Sequence, residues 1–249
     1  MKIIVLGANG ALGSKVTRLA LEAGHAVTAV VRSPAKLGAS GTQGMGVAQA
    51  DLSSIEPLAL ADILCGHDAL INTAGFVTDG TQFVSMVDRV VSAVELLPPE
   101  SRPVCWFVAG AGLLDLDSKG RRGLDLPKVR DTYWPHAQNH ARLQRSPLDW
   151  RLLCPGPMVD SPALGLERMR TSIERLPVAM PDWSGRLPDI LMLALFAQRM
   201  PEMIVSYADA AATMLAHLAP GGSFSRHRVG LALPVGMRGS KKQWVANKA

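Results

Sequence analysis

The chain opens with Lys2-Ile3-Ile4-Val5-Leu6, an aliphatic run that stops at Gly7-Ala8-Asn9-Gly10-Ala11-Leu12-Gly13. A short β-branched stretch ended by glycine reads as a buried strand. Beyond it, Ala11, Leu12, Val16, Leu19, Ala20 and Ala23 recur at helical spacing, and Gly24 stops the period. The three glycines therefore fall at a strand-to-helix turn. There Gly7 permits the tight turn, Gly10 lets backbone N–H groups approach an anion, and Gly13 lets the helix close on the strand. The helix N-terminus adds positive potential, so this spacing implies a bound pyrophosphate.

Working outward, His25–Val31, Met45–Ala50, His67–Asn72, Arg102–Ala109 and Leu148–Cys154 read as further strands. Helical stretches lie at Ile55–Leu64, Gln82–Leu97 and Pro135–Arg145. Such alternation predicts an α/β fold, a Rossmann-type doubly wound parallel sheet covered on both faces. Past Pro155 the rhythm breaks: Pro155–Met203 holds seven of the 17 prolines and six of the 11 methionines. We expect a small irregular C-terminal substrate lobe at about 157–206 within a single domain, 1–249. Helix returns at Ala208–Leu218, a last strand follows at Arg228–Leu233, and residues 234–249 form a basic tail.

Hydrophobic residues make up 48% and charged residues 19% of the 249, which excludes a disordered or fibrous chain. The apolar run Ile190–Ala197 is far too short to span a bilayer, and no targeting leader is evident. A cytoplasmic protein without membrane contact is expected. Cys65, Cys105 and Cys154 lack any paired spacing and are expected to be reduced, packed thiols. The net charge of +5 is concentrated after Pro220, where six Lys/Arg meet no acid. The near-neutral body carries no nucleic-acid motif, so none is expected as partner. The expected partner is a small-molecule substrate, and the protein is expected to be a monomer or homodimer.

About 20 residues past such a turn, an acid selects NAD and an arginine accommodates the 2′-phosphate of NADP. Arg32 stands there, with Ser33 and Lys36 nearby, so NADP(H) is preferred over NAD(H). Asp51-Leu52 ends the third strand, where a carboxylate accepts from adenine or, alternatively, caps the next helix. Asn72-Thr73-Ala74-Gly75 places small residues where a cofactor passes close to the backbone. Ala109 and Gly110 offer the same after the fifth strand.

Together with the stretch from Ser146 to Pro157, these residues resemble the short-chain dehydrogenase/reductase superfamily, and most of all its atypical NAD(P)H-binding, NmrA-like and flavin-reductase-like branch. The resemblance implies that Pro155-Gly156-Pro157-Met158 hold the nicotinamide carboxamide and open the substrate lobe, where Met158, Met169, Met180, Trp183 and Met192 either line an apolar pocket or, as a Met stripe more often does, belong to the core. It also implies a Tyr-xxx-Lys catalytic pair before the sixth strand. Spacing puts Thr132 and His136 at those two positions, so the standard pair is missing. Tyr133 lies one residue out of register, just before Trp134-Pro135 where the helix is expected to begin, and with His136 forms the candidate proton-transfer couple. His136 and His140 have metal-pair spacing, but Ala137 replaces the base glutamate and no third ligand is evident, so no metal is expected. The expected function is an NADP(H)-dependent oxidoreductase acting on a small, largely apolar or planar acceptor. The alternatives are a non-catalytic NADP(H) sensor and an NAD-dependent epimerase/dehydratase-like enzyme.

Overall fold

The computed structural model describes residues 1–37, 44–75 and 79–240, without the side chain of Lys36. Lys36 and the tail lysines at 241, 242 and 248 thus carry expectations that lie outside the described side chains. Among the described residues ten strands form: β1 (Lys2–Leu6), β2 (Ala26–Val31), β3 (Gly46–Gln49), β4 (Ala69–Asn72), β5 (Val104–Val108), β6 (Trp150–Pro155), β7 (Met158–Val159), β8 (Arg170–Ile173), β9 (Val205–Ser206) and β10 (Arg228–Ala232). The helices are α1 (Ala11–Glu22), α2 (Pro57–Leu64), α3 (Gly80–Glu95), α4 (Val129–Gln144), α5 (Asp189–Arg199) and α6 (Tyr207–Ala216).

Eight strands join one sheet in the order β3-β2-β1-β4-β5-β6-β10-β8. Leu6 pairs with Val30 on one side and Asn72 on the other, both in parallel register. The strand order reverses between β1 and β4, and the crevice above their carboxyl ends is where such sheets bind ligands. Alternation sends Ile4, Leu6, Leu70, Phe107 and Leu152 beneath α2, α3 and α4. Ile3, Val5, Ile71, Trp106 and Leu153 face α1 and α6. Both faces are dry, which is why the central strands read as unbroken apolar runs.

Three expectations need correction. The sheet is parallel except at one edge, where β8, within the stretch expected to be irregular, pairs antiparallel with β10. Helix α4 starts at Val129, six residues before Pro135, so the proline is interior. It removes the bond to the Asp131 carbonyl, which is tolerable because Asp131 is exposed and water can replace the donor. The ring also packs closely on Gly80, where a Cβ would lie 2.6 Å from Pro135 Cγ. Finally, Cys65 is exposed at the end of α2, whereas Cys105 and Cys154 are buried as expected and burial pushes both thiols up.

Candidate functional site

Gly7 has φ +77°, a left-handed conformation that glycine alone adopts freely. A Cβ there would lie 2.8 Å from Ala74 N, so β4's continuation rests directly on the turn. At Gly13 a Cβ would run into the Gly7 carbonyl and come within 2.7 Å of Thr73 Oγ1. The Thr73 hydroxyl donates to the Leu6 carbonyl at 2.8 Å and the Gly7 carbonyl at 3.3 Å, locking β4 to the turn. Asn72 Oδ1 accepts from Ala74 N at 3.1 Å and fixes the next residue.

Helix α1 begins with Gly10 as its N-cap, no capping side chain and no acid in its first turn. Ser14 N is the first amide to bond inside the helix, to the Gly10 carbonyl at 2.9 Å. The amides of Ala11, Leu12 and Gly13 therefore have no intrahelical acceptor. Asn9, Gly10 and Ala11 are exposed around them. A cradle of free N–H groups at a positive helix end fits the pyrophosphate of a dinucleotide.

Arg32 is exposed at the end of β2, and its guanidinium makes no hydrogen bond or ion pair with any described residue. Ser33 beside it is half-buried. Asp51 does not cap α2, whose N-cap is Glu56. Its Oδ1 instead accepts from Ser53 N at 2.9 Å and Ser53 Oγ at 2.7 Å, and these bonds, with the fields of Arg32 and Arg89 behind them, hold the carboxyl below its usual range. Leu52 is buried and its side chain belongs to the core.

Toward β5, Gly75, Phe83, His136, Tyr133 and Gly110 form a continuous chain of contacts. A Cβ on Gly75 would lie 3.7 Å from Phe83, and one on Gly110 would lie 2.5 Å from Tyr133 Cε1. The Phe83 and His136 rings meet edge-on at 5.3 Å, and the Tyr133 and His136 centroids are 5.4 Å apart. The candidate couple is thus assembled one helical turn apart, facing the end of β5. Burial pushes the Tyr133 phenol up and His136 down to about 4. Both are neutral at pH 7, the reverse of a phenol beside an ammonium ion. His136 Nδ1 is buried without a hydrogen-bond partner among the described residues.

Ala109 N bonds the Leu153 carbonyl at 2.7 Å, continuing the sheet past β5. Pro155 ends β6 opposite Leu231, and a Cβ on Gly156 would strike the Met203 carbonyl, so that glycine serves a close approach to the lobe backbone. Met158 is half-buried opposite Val205, while Trp183 is 58% exposed. Met169 and Met192 are core residues. Sequence reasoning missed Phe83 and the glycines at 110 and 112 as the seat of Tyr133; the small-residue run Ala109–Gly112 was the available signal. Among the described residues, no group of three or more His, Cys, Asp or Glu is placed to hold a metal, and no helix is long and apolar enough to cross a membrane.

Comparison with known proteins agrees with this geometry. The chain is 27% identical to an uncharacterized protein, YwnB, of Bacillus subtilis (strain 168) over 166 residues, covering 64% of this chain and 74% of that one. A putative NADH-flavin reductase from Streptococcus pneumoniae TIGR4 superposes with a TM-score of 0.70 at 22% identity, over 94% of this chain and 99% of that one. An anaerobillin reductase from Escherichia coli O157:H7 gives 0.64 at 19%, over 94% and 98%. At these identities the two structures establish the fold. Residues 7–179, from the first glycine of the turn into the lobe, match the NAD(P)H-binding family model, and the chain belongs to that family.

Proposed function

We propose that the protein is an NADP(H)-dependent oxidoreductase acting on a small, largely apolar or planar acceptor. The reading rests above all on Arg32, an exposed guanidinium without a described partner at the strand end where the adenosine ribose of a dinucleotide lies. In this reading the Gly7–Gly13 turn seats the pyrophosphate on the free amides of Ala11, Leu12 and Gly13, and Arg32, Ser33 and Lys36 take the 2′-phosphate. Asp51 and Leu52 border the adenine. Thr73 to Gly75 with Ala109 and Gly110 line the nicotinamide side, and Pro155-Gly156 close it. When bound, the nicotinamide supplies or accepts a hydride at its C4. Tyr133, kept protonated by its surroundings, donates a hydrogen bond or proton to an acceptor oxygen. Acceptors that need no fixed acid, such as flavins and quinones, require only orientation and a dry pocket.

A second reading, a sensor that binds NADP(H) without turnover, is favoured by the neutral ring at position 136 beside Tyr133. Incubation with NADPH and a panel of flavins, quinones and aldehydes separates the two: sustained oxidation supports the enzyme, and tight binding without turnover supports the sensor. Arg32→Ala tests the cofactor choice. Its loss should weaken NADPH by ~1–3 kcal/mol, the size of a charge-assisted contact, and leave NADH within a few-fold. Equal losses for both dinucleotides would remove the NADP assignment.

A further inference from the structure

A cavity of about 400 Å³ lies away from the glycine turn, between the chain that follows β5 and the chain that follows β8. Its size falls within the ~300–1,000 Å³ of small-molecule sites. The apolar part of its lining is Leu116, Leu176 and Val178, each less than a tenth exposed. Two of its acids are already neutralised: Asp115 pairs with Arg228 at 3.2 Å and Asp117 with Arg121 at 3.2 Å. Arg121 also donates to the Ser184 carbonyl at 3.1 Å and the Leu187 carbonyl at 2.8 Å, so the opposite wall is clamped in place.

The polar groups of the lining that make no ion pair are Ser118, Arg175, Asp182 and Ser184. Ser184, 1% exposed as a residue, lines the cavity, and its carbonyl is already taken by Arg121. Arg175 and Asp182 are exposed lining residues, and neither is ion-paired, to the other or to any described residue. The cavity therefore offers one free cation, one free anion, a buried hydroxyl and an apolar floor.

We propose that this cavity binds a small zwitterion with an apolar body, the chemistry of a branched or aromatic α-amino acid. Its carboxylate meets the Arg175 guanidinium and the Ser184 hydroxyl, its ammonium meets Asp182, and its side chain lies over Leu116, Leu176 and Val178. A singly charged ligand would use only one of the two unpaired charges. The site is separate from the proposed cofactor cradle, so its test needs no dinucleotide.

Calorimetry on the full chain without cofactor, using leucine, 4-methylpentanoate and 3-methylbutylamine as probes, reads the proposal directly. Leucine should bind, with each truncated analogue ~10-fold or more weaker, one charge-assisted contact being lost. Arg175→Ala should erase the preference for leucine over the amine, and Asp182→Asn the preference over the acid. Ser184→Ala, which keeps the clamped backbone, should weaken leucine ~3- to 10-fold. Melting curves confirm that each variant folds. No heat from leucine or phenylalanine up to about 10 mM overturns the proposal, as does tighter binding of either truncated analogue or leucine binding that Arg175→Ala and Asp182→Asn leave unchanged. Titration of NADPH into the same material judges the cofactor reading independently.

Discussion

Replacing Gly13 by alanine tests the interlock on which the glycine turn depends. The added methyl would meet the Gly7 carbonyl, Thr73 Oγ1 at 2.7 Å and Ala8 Cα at 2.9 Å. None of the three is the free end of a flexible side chain: two are backbone, and the Thr73 hydroxyl is tied to the Leu6 and Gly7 carbonyls. The strain must therefore be relieved by moving the start of α1 away from β1 by several tenths of an ångström. Overpacking of this kind costs ~1–3 kcal/mol, and rigid obstacles place it at the upper end. For a chain of this length ~3 kcal/mol lowers the melting temperature by roughly 6–12 °C. The same displacement carries the amides of residues 11–13 with it, so NADPH affinity should fall ~10-fold or more by calorimetry. Two controls separate packing from conformation. Gly24→Ala meets nothing within 4 Å but has φ +78°, so it should cost ~1–2 kcal/mol and leave NADPH binding unchanged. Gly10→Ala meets only the Gly7 carbonyl, at 3.2 Å, and should melt near the parent while binding NADPH poorly. A Gly13→Ala protein that melts within ~2 °C of the parent and binds NADPH equally would refute the interlock.

Burial holds His136 and His140 down at about 4, so each is neutral in the folded chain while the unfolded chain begins to take up protons near pH 6.5. Their contribution is complete above pH 6.5 and is lost as pH falls toward 4, on the order of 2–3 kcal/mol each. Urea midpoints should drop across that window, above the range where the carboxylates titrate, and His140→Phe should flatten the drop; a midpoint constant from pH 7 to 4.5 would contradict it. Arg121→Ala leaves Asp117, whose side chain is 4% exposed, without its cation and frees residues 184–189. A loss of ~2–4 kcal/mol is expected, with faster amide exchange confined to that turn, and unchanged exchange there would remove the clamp. Tyr133→Phe should lower turnover of carbonyl acceptors ~10²–10⁴-fold and leave flavin or quinone turnover within a few-fold. Equal rates for all acceptors would reduce Tyr133 to packing.

The doubly wound sheet was legible because its central strands are buried on both faces. Lys2–Leu6 and Ala69–Asn72 therefore read as unbroken apolar runs with no competing period. β8 was not legible for the converse reason: Arg170-Thr171-Ser172-Ile173 alternates between half-buried and exposed positions at an edge, and its extended state comes from pairing with β10. The start of α4 was misread through a sound rule applied at the wrong residue. Proline favours the first helical turn, so Pro135 drew the boundary to itself. Pro127 and the left-handed Lys128 set it earlier, and the exposure of Asp131 made the interior proline tolerable. Asp51 shows a similar competition, in which an acid after a strand bonded Ser53 two residues on, and the next helix was left to begin at Pro57 with Glu56 as its N-cap.

The glycine turn was legible at residue level because the phosphate recognition proposed for it would be done by backbone. Backbone requirements appear in sequence as glycine spacing, and Gly7 and Gly13 sit where Ala74 and Thr73 leave no room for a Cβ. The chemical side was not, because it depends on ionisation, which neither spacing nor resemblance fixes. Tyr133 and His136 are brought together by one helical turn, as their positions implied. What they can do there follows from Phe83 and the glycine seat at 110 and 112, which pack against the two rings and, by partly burying them, keep each neutral. A phenol beside an ammonium ion can serve as acid or base near neutral pH, whereas a phenol beside a neutral imidazole keeps its proton and can only donate. In the function proposed above, the same helix position would carry a different reaction repertoire, narrowed toward acceptors that take a hydride first and need a proton little or late.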